Sequence, residues 1–381
     1  MKKLKTAAAV LLCLLLCGCK NSRIFANYRE LKQTELIQTV GFDKEGKETA
    51  VTVATAVSPE GDFTIFTGRA RTAAEALANV HSFPSKRFLF FGHTGNIIIG
   101  NAAAEDMTAI FDFIERNNDI RLDTPLFVAR GISAKDIMHS ANIGGARITE
   151  LLLPLTDQTK SGADNHVFTA KEMIAVHTAE DYALACAIKL TQDPDKISEG
   201  SANVIPDGYA VIRGGGVVGF VEQENCLGVN LIINQPVGSV LAVKDSSGGY
   251  VSLSLKKTQC EVEGQYSQSG GLEGIVLKLC VKANIEQVDN DLDISSEDVR
   301  KHLAAELSFL LSGQCQRAVE TSRRLETDFL GLGKRLYIES PARFEPYLKD
   351  FRTKLDGLDI KVQTDIVIER TYDIQQGEGV E

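Results

Sequence analysis

The sequence predicts an α+β protein with mixed or antiparallel sheets and packed helices, arranged in two or three domains without a Rossmann fold. In the C-terminal half, apolar residues alternate with a period of two, which is typical of half-buried antiparallel strands. Amphipathic helices lie between the strands in both halves. Gly214, Gly216 and Gly219 match the dinucleotide-binding pattern in form, but a strand-like segment follows them where that fold requires a helix. A glycine-rich hairpin turn is therefore predicted at these residues.

The N-terminus has the composition of a secretory signal. Three lysines stand within the first five residues, and an apolar run follows at 7–16. This run is too short to span a bilayer core of about 30 Å. A positive start followed by a short apolar stretch predicts a signal peptide at residues 1–18.

The end of this signal resembles a bacterial lipobox. Leu16, Cys17 and Gly18 precede Cys19, the residue whose thiol would receive a diacylglycerol before cleavage. We predict lipidation at Cys19 and a lipidated tether at residues 19–27, which would hold the protein on the outer face of the cytoplasmic membrane. The alternative is a plain signal peptide with incidental cysteines, or an uncleaved anchor.

Residues 28–200 are predicted to form an N-terminal α/β domain, which can subdivide. Its predicted elements are a strand at 48–57, a helix at 72–81, a hairpin or bulged strand at 88–99, an amphipathic helix at 102–116, a strand at 125–130 and a helix opened by a capping box of Ser133 and Asp136. We predict an exposed loop at 157–165. The polar stretch 192–207, which contains two prolines, is the predicted domain boundary.

Residues 201–373 are predicted to form a C-terminal domain of antiparallel strands and helices, followed by a polar tail at 374–381. Its predicted elements are paired strands at 209–212 and 217–221, strands at 251–255 and 275–285, a long helix with apolar residues from Val299 to Val319, a second helix at 344–355 and a last strand at 360–368. The apolar row of the long helix advances four residues at a time, which suits packing on a sheet.

Composition excludes several classes of function. The net charge is −10 and no stretch has the basic density that nucleic-acid binding requires, so no nucleic-acid partner is predicted. The mature chain keeps five cysteines besides Cys19, and none forms a CxxC pair, so neither a zinc-ribbon metal site nor a cofactor is predicted. A disulfide between Cys260 and Cys280 remains open. No two of the six histidines are close enough to suggest a metal or catalytic site.

The densest charge cluster follows the predicted helix at 102–116. It contains Glu115, Arg116, Asp119 and Arg121. Two interpretations are open, a turn whose charges pair with one another and a partner-binding surface. Exposed ion pairs contribute little stability, so the cluster is not expected to determine the fold.

The order of these features resembles the Ger(x)C lipoproteins, the C subunits of spore germinant receptors. The matching segments are 28–31 with 40–43, 87–93 with 97–100, 113–121, 128–137, 208–211 with Gly219, 228–234, and 328–333 with the helix after it. Lys20 and Asn21 stand where that family usually has Trp-Asp after the lipidated cysteine.

The resemblance implies mixed α/β domains without known catalysis and assembly with two membrane partners, the A and B subunits of the receptor. The leading hypothesis is therefore a lipid-anchored, non-catalytic scaffold subunit that is needed for nutrient-triggered germination at the spore inner membrane. A solute-binding lipoprotein of a transporter is the alternative, and it would need two doubly wound lobes of parallel strands. A secreted hydrolase is the third class considered.

Overall fold

The computed structural model describes residues 34–55, 64–82, 88–143, 148–161, 165–180, 182–191, 204–289 and 292–369. The predicted signal peptide, lipobox, tether and polar tail lie outside these residues.

The larger sheet has nine strands in the described part of the chain. They are β1 (Thr34–Glu45), β2 (Glu48–Thr55), β3 (Ile65–Ala70), β4 (Phe88–Phe90), β5 (Asn96–Ile99), β6 (Leu126–Ala129), β7 (Tyr182–Leu190), β8 (Val204–Arg213) and β9 (Gly216–Val221). The order across the sheet is β3-β2-β1-β5-β6-β7-β8-β9, and β4 pairs with the start of β1. The four central strands are parallel, whereas β2 with β3 and β8 with β9 add antiparallel strands at the two sides.

Helices cover both faces of this sheet. They are α1 (Ala73–His81), α2 (Thr108–Arg116), α3 (Ala134–Ile143), α4 (Ile148–Ser161) and α5 (Ala170–Glu180). Helices α1, α2 and α5 share one core cluster with the sheet, and α3 and α4 share a second cluster on its opposite face. Ile97 and Ile99 face the first cluster while Ile98 faces the second, so β5 is apolar at consecutive positions.

The second sheet carries the C-terminal helices. Its strands, in order across the sheet, are β10 (Val240–Lys244), β11 (Tyr250–Tyr266), β12 (Leu272–Val288) and β13 (Asp359–Glu369). The helices are α6 (Cys226–Ile232), α7 (Glu297–Arg324), α8 (Leu332–Glu339), α9 (Pro341–Phe344) and α10 (Phe351–Leu355). Helix α7 is the long helix predicted from the sequence. Its predicted row of apolar side chains is buried at Leu303, Leu307, Leu311, Cys315 and Val319. The α+β class predicted from the sequence is confirmed.

The glycine pattern at 214–219 forms a hairpin turn between β8 and β9, as predicted. Gly214 and Gly215 have φ angles of 59° and 87°, a backbone region that side chains disfavour. Strand β8 pairs with β7 and β9 pairs with β8, so both strands belong to the larger sheet. The larger sheet therefore extends into the range 201–373 that the sequence assigns to a C-terminal domain, because β8 pairs with a strand from the preceding half of the chain.

Two predicted elements of the N-terminal half have a different form. The residues 88–99 do not form a hairpin, because β4 and β5 each pair in parallel with β1. The two strands follow one another along β1, which is closer to the bulged strand that was the other interpretation. The helix predicted at 102–116 is interrupted after a short 3₁₀ turn at Ala103–Glu105. The Asp106 carboxylate accepts the N–H of Thr108 at 3.1 Å, and the N–H of Met107 is donated to Gly215. A new helix therefore begins at Thr108.

Three further predictions, for a loop, a helix and the last strand, also differ from the structure. The loop predicted at 157–165 is helical up to Ser161, where α4 ends. The helix predicted at 344–355 is divided by a 3₁₀ turn that contains Pro346, which has no N–H to continue an α-helix. Strand β13 pairs in parallel with β12, because the helices between them return the chain to the same edge of the sheet.

Candidate functional site

The segment 40–43 anchors a distant helix. Asp43 lies at the end of β1, and its two carboxylate oxygens accept the N–H groups of Ala134 and Lys135 at 2.8 and 2.9 Å. Burial raises the pKa of Asp43, while these two backbone hydrogen bonds oppose that rise. Ser133 caps the same helix by accepting the N–H of Asp136 at 2.9 Å, as the predicted capping box requires. The segment is therefore a structural anchor for α3.

A buried tyrosine connects the two halves of the molecule. Tyr209 on β8 is fully buried, and its hydroxyl accepts the N–H of His166 at 2.5 Å and donates to Oδ1 of Asn230 on α6 at 2.7 Å. It belongs to a core cluster that extends from β7 and β8 to the second sheet and α7. Arg213 adds hydrogen bonds to the carbonyl oxygens of Leu325 and Glu326 at the end of α7. We call Tyr209, His166 and Asn230 the junction network.

A charged cluster lies beside this network. The Arg130 guanidinium donates to Asp207 at 2.9 Å and to both oxygens of Glu222 at 2.9 Å, and it stacks over the Phe220 ring at 4.3 Å. Lys189 pairs with the other oxygen of Asp207 at 2.5 Å. The hydrogen bond from Arg130 lowers the pKa of Glu222. The cluster thus ties the end of β6 to β7, β8 and the segment after β9.

The turn at 328–333 starts α8. The Asp328 carboxylate accepts the N–H of Leu332 at 2.9 Å and that of Gly333 at 2.7 Å, which caps the first turn of the helix. Gly331 adopts φ 65°, a left-handed conformation that a side chain would strain. The turn at the start of α8 therefore gives both Asp328 and Gly331 a structural role.

A cleft of about 570 Å³ lies where this turn faces the larger sheet. Tyr182 at the start of β7, Tyr337 on α8 and Phe351 on α10 contribute aromatic walls, and Lys334 and Arg352 contribute cationic side chains. The described lining residues include no Ser, Cys or His that could act as a nucleophile. The cleft can bind a ligand through aromatic and charged contacts.

The predicted charge cluster lies at the surface. Arg116 pairs with Asp112 one turn earlier at 2.8 Å, and Arg121 pairs with Asp123 at 2.5 Å. Glu115 and Asp119 are also exposed. The two arginines therefore pair within the local segment, although with aspartates outside the predicted cluster. A partner-binding role for these four residues stays a prediction.

The buried thiols are chemically quiet. Burial raises the pKa values of Cys186 and Cys315 to about 12, so almost none of either thiol is ionised at neutral pH. Cys260 and Cys280 are free, because Cys260 faces the core and Cys280 faces solvent from the neighbouring strand. The disulfide left open between them is absent. The described residues contain no group of three His, Cys, Asp or Glu side chains that could hold a metal ion.

The four lipobox residues, Leu16 to Cys19, lie outside the described part of the chain. None of the helices in the described ranges combines the length and the apolar character that crossing a membrane requires.

Comparison with known proteins identifies the family. A family model for the N-terminal domain of spore germination proteins matches residues 27–178, and a model described as spore germination B3/GerAC like, C-terminal, matches residues 207–372. The fold is similar to the crystal structure of the GerBC protein, with a TM-score of 0.56 at 14% identity over 86% of this chain and 96% of that one. No curated protein matches the sequence.

The two matched domains together define a spore germination protein. The chain belongs to the Ger(x)C family, the C subunits of spore germinant receptors. The second sheet is not a parallel, doubly wound lobe, because β10, β11 and β12 are antiparallel. The solute-binding alternative therefore lacks one of the two lobes that it requires.

Proposed function

We propose that this protein is a lipid-anchored, non-catalytic scaffold within a spore germinant receptor and is needed for nutrient-triggered germination. The observation that supports it most is the family match along both halves of the chain. The lipobox-like sequence that ends at Cys19 precedes the first matched segment and supplies a means of attachment.

The proposed anchor gives the scaffold a physical advantage. An acylated Cys19 would confine the body to a thin layer on the outer face of the membrane, next to the A and B subunits. Confinement raises the effective concentration of the partners without any new contact. Two or three acyl chains on one residue give stable attachment, since each buried methylene contributes about 0.8 kcal/mol.

The described interior favours a structural role over catalysis. Asp43 and Asp328 accept backbone amides, and the Tyr209 hydroxyl binds a backbone amide and the Asn230 side chain. Burial raises the pKa values of the Cys186 and Cys315 thiols to about 12. The junction network would keep the two halves in a fixed arrangement, which suits a subunit that positions partners.

Replacement of the acylated cysteine tests the proposal. The Cys19→Ala variant should lose incorporation of a labelled fatty acid, leave the membrane fraction and fail to support germination. Cys17→Ala is the matched control, because it removes a neighbouring thiol and should keep both the label and the location.

Two results would contradict the proposal. The anchor is rejected if Cys19→Ala fractionates and supports germination like the parent, or if mass spectrometry finds a mature N-terminus other than an acylated Cys19. The scaffold role is rejected if the A and B subunits assemble and respond to nutrients normally in its absence.

A further inference from the structure

Strand β4 exposes two aromatic side chains. Leu89 is buried in the core, whereas Phe88 and Phe90 on either side of it are each 40% exposed. Because side chains alternate along a strand, both rings lie on the same side of β4. The solvent-facing positions of a half-buried strand are usually polar, so two exposed rings side by side indicate a contact surface.

Polar rings flank this aromatic pair. The Phe88 ring centroid lies 6.3 Å from that of His81, and the Phe90 ring centroid lies 5.8 Å from that of His93. Both histidines are exposed. Apolar rings next to side chains that can hydrogen-bond suit the zone between water and hydrocarbon, where amphipathic aromatic groups concentrate in membrane proteins.

The pair also lies on the side of the body where the tether would leave. Strand β4 runs parallel to the first residues of β1, with Thr34 opposite Phe88 and Leu36 opposite Phe90. Cys19 stands fifteen residues before Thr34, so an extended tether would span at most about 50 Å. The proposed anchor and the exposed rings are therefore attached to the same end of β1.

The charge in the sequence beside the rings favours an anionic lipid surface. Lys86 and Arg87 directly precede Phe88 in a chain whose net charge is −10. Lysine and arginine next to a membrane are attracted by anionic headgroups. An acidic partner protein would be repelled by the rest of this acidic chain. A flat anionic bilayer contacts only the side of the protein that faces it, so the same repulsion is weaker there.

We propose that Phe88 and Phe90 form a membrane-contact surface that enters the interfacial layer of an anionic bilayer and so fixes the orientation of the body. This inference rests on the proposed anchor at Cys19, which brings the body to the membrane. The acyl chains supply attachment, and the two rings supply a second point of contact that restricts rotation about the tether.

The absence of tryptophan from the chain provides a direct test. In the lipidated protein, Phe90→Trp introduces a single indole, which is excited selectively at the red edge of the tyrosine absorption. It is measured on phosphatidylglycerol and phosphatidylcholine vesicles with and without brominated acyl chains. Its emission should shift to shorter wavelength and be quenched about twofold or more, because bromine quenches only indole rings that reach the lipid. The matched control is Phe309→Trp on α7, whose parent side chain is 82% exposed and should remain unquenched.

A second variant measures the contribution of the rings to binding. In the Cys19→Ala chain, which carries no lipid, Phe88→Ser with Phe90→Ser should reduce co-sedimentation with these vesicles about tenfold, since apolar area no longer enters the interface. Circular dichroism checks that both variants are folded, and partial exposure of both residues favours this. Phe309→Ser should leave co-sedimentation unchanged.

The outcomes separate the rings from the anchor. If the indole of Phe90→Trp stays unquenched in protein that is lipidated and bound to vesicles, the contact surface is rejected while the anchor stands. If Cys19 carries no lipid, the proposed anchor fails, and vesicle binding by the unlipidated chain still decides the role of the rings. If the indole emission shifts only when the A and B subunits are present and is then shielded from brominated lipid, the surface binds protein and the membrane proposal is wrong.

Discussion

The junction network makes a direct prediction about stability. Tyr209→Phe keeps the ring in the core and removes only the hydroxyl, which bonds to His166 at 2.5 Å and to Asn230 at 2.7 Å. Because Tyr209 is fully buried, no solvent can replace the lost partner at the same position without a rearrangement. The substitution therefore isolates the polar connection between β8 and α6 from the packing around it.

The expected loss follows from the two hydrogen bonds. Each contributes roughly 0.5–1.5 kcal/mol net, and the two groups left behind carry part of a desolvation penalty of roughly 1–3 kcal/mol each. We expect Tyr209→Phe to lower the free energy of unfolding by about 2–3 kcal/mol. Urea denaturation of the Cys19→Ala chain measures this as a lower midpoint at an unchanged slope.

A matched control and a pH series complete the test. Tyr250→Phe removes a hydroxyl from a side chain that is about half exposed, so it should change the free energy of unfolding by less than about 0.5 kcal/mol. Burial raises the pKa of Tyr209 well above its usual value of 10.0. Its stabilisation should therefore be present below pH 10 and decline above it, as the unfolded tyrosine ionises while the folded one does not. If Tyr209→Phe behaves like Tyr250→Phe at neutral pH, the junction network does not stabilise the fold.

Two further predictions concern charge and thiols. Arg130→Met should lower the free energy of unfolding at neutral pH and make its decline on acidification shallower. The reason is that Arg130 lowers the pKa of Glu222, so the stabilisation is present above the unfolded value of 4.5 and is lost as the pH falls through the lower folded value. Unfolding curves between about pH 3 and 7 measure this, and an unchanged dependence on acid pH would contradict it. Among the five cysteines of the described residues, the exposed Cys280 should react at once with a disulfide reagent at about pH 8. Cys186 and Cys315 should react only after unfolding, because burial suppresses the ionisation of their thiols. Rapid reaction of Cys186 or Cys315 in the folded protein would contradict this prediction.

Much of the local structure follows from patterns within single segments. The buried row of α7 from Leu303 to Val319, the alternation in β12 and the glycine turn between β8 and β9 are each confirmed. These features depend on the period of a helix or strand, or on the φ angles of glycine, so short stretches of sequence contain the necessary information. The break at Pro346 was equally local, and the missing N–H of proline was sufficient reason to expect it.

Strand neighbours could not be obtained in the same way. The assignment of β8 and β9 to the larger sheet depends on pairing with β7, and β13 pairs with a strand that ends more than seventy residues before it. The roles of Asp43 and Tyr209 also depend on distant partners, because Asp43 caps a helix about ninety residues later and Tyr209 reaches α6. Periodicity reports which face of an element is apolar, but it does not report which other element covers that face.

The α+β class, most of the described strands, the helices α1, α2, α3 and α7, the candidate acylation site at Cys19 and the resemblance to the germinant-receptor family therefore all follow from local sequence patterns. Three features became visible only in the folded chain: β4 lies beside the first residues of β1, Phe88 and Phe90 remain exposed there, and Tyr209 joins the two halves. The physical reason is that backbone preferences act over a few residues, whereas burial and hydrogen-bond partners are set when segments far apart in the chain pack together.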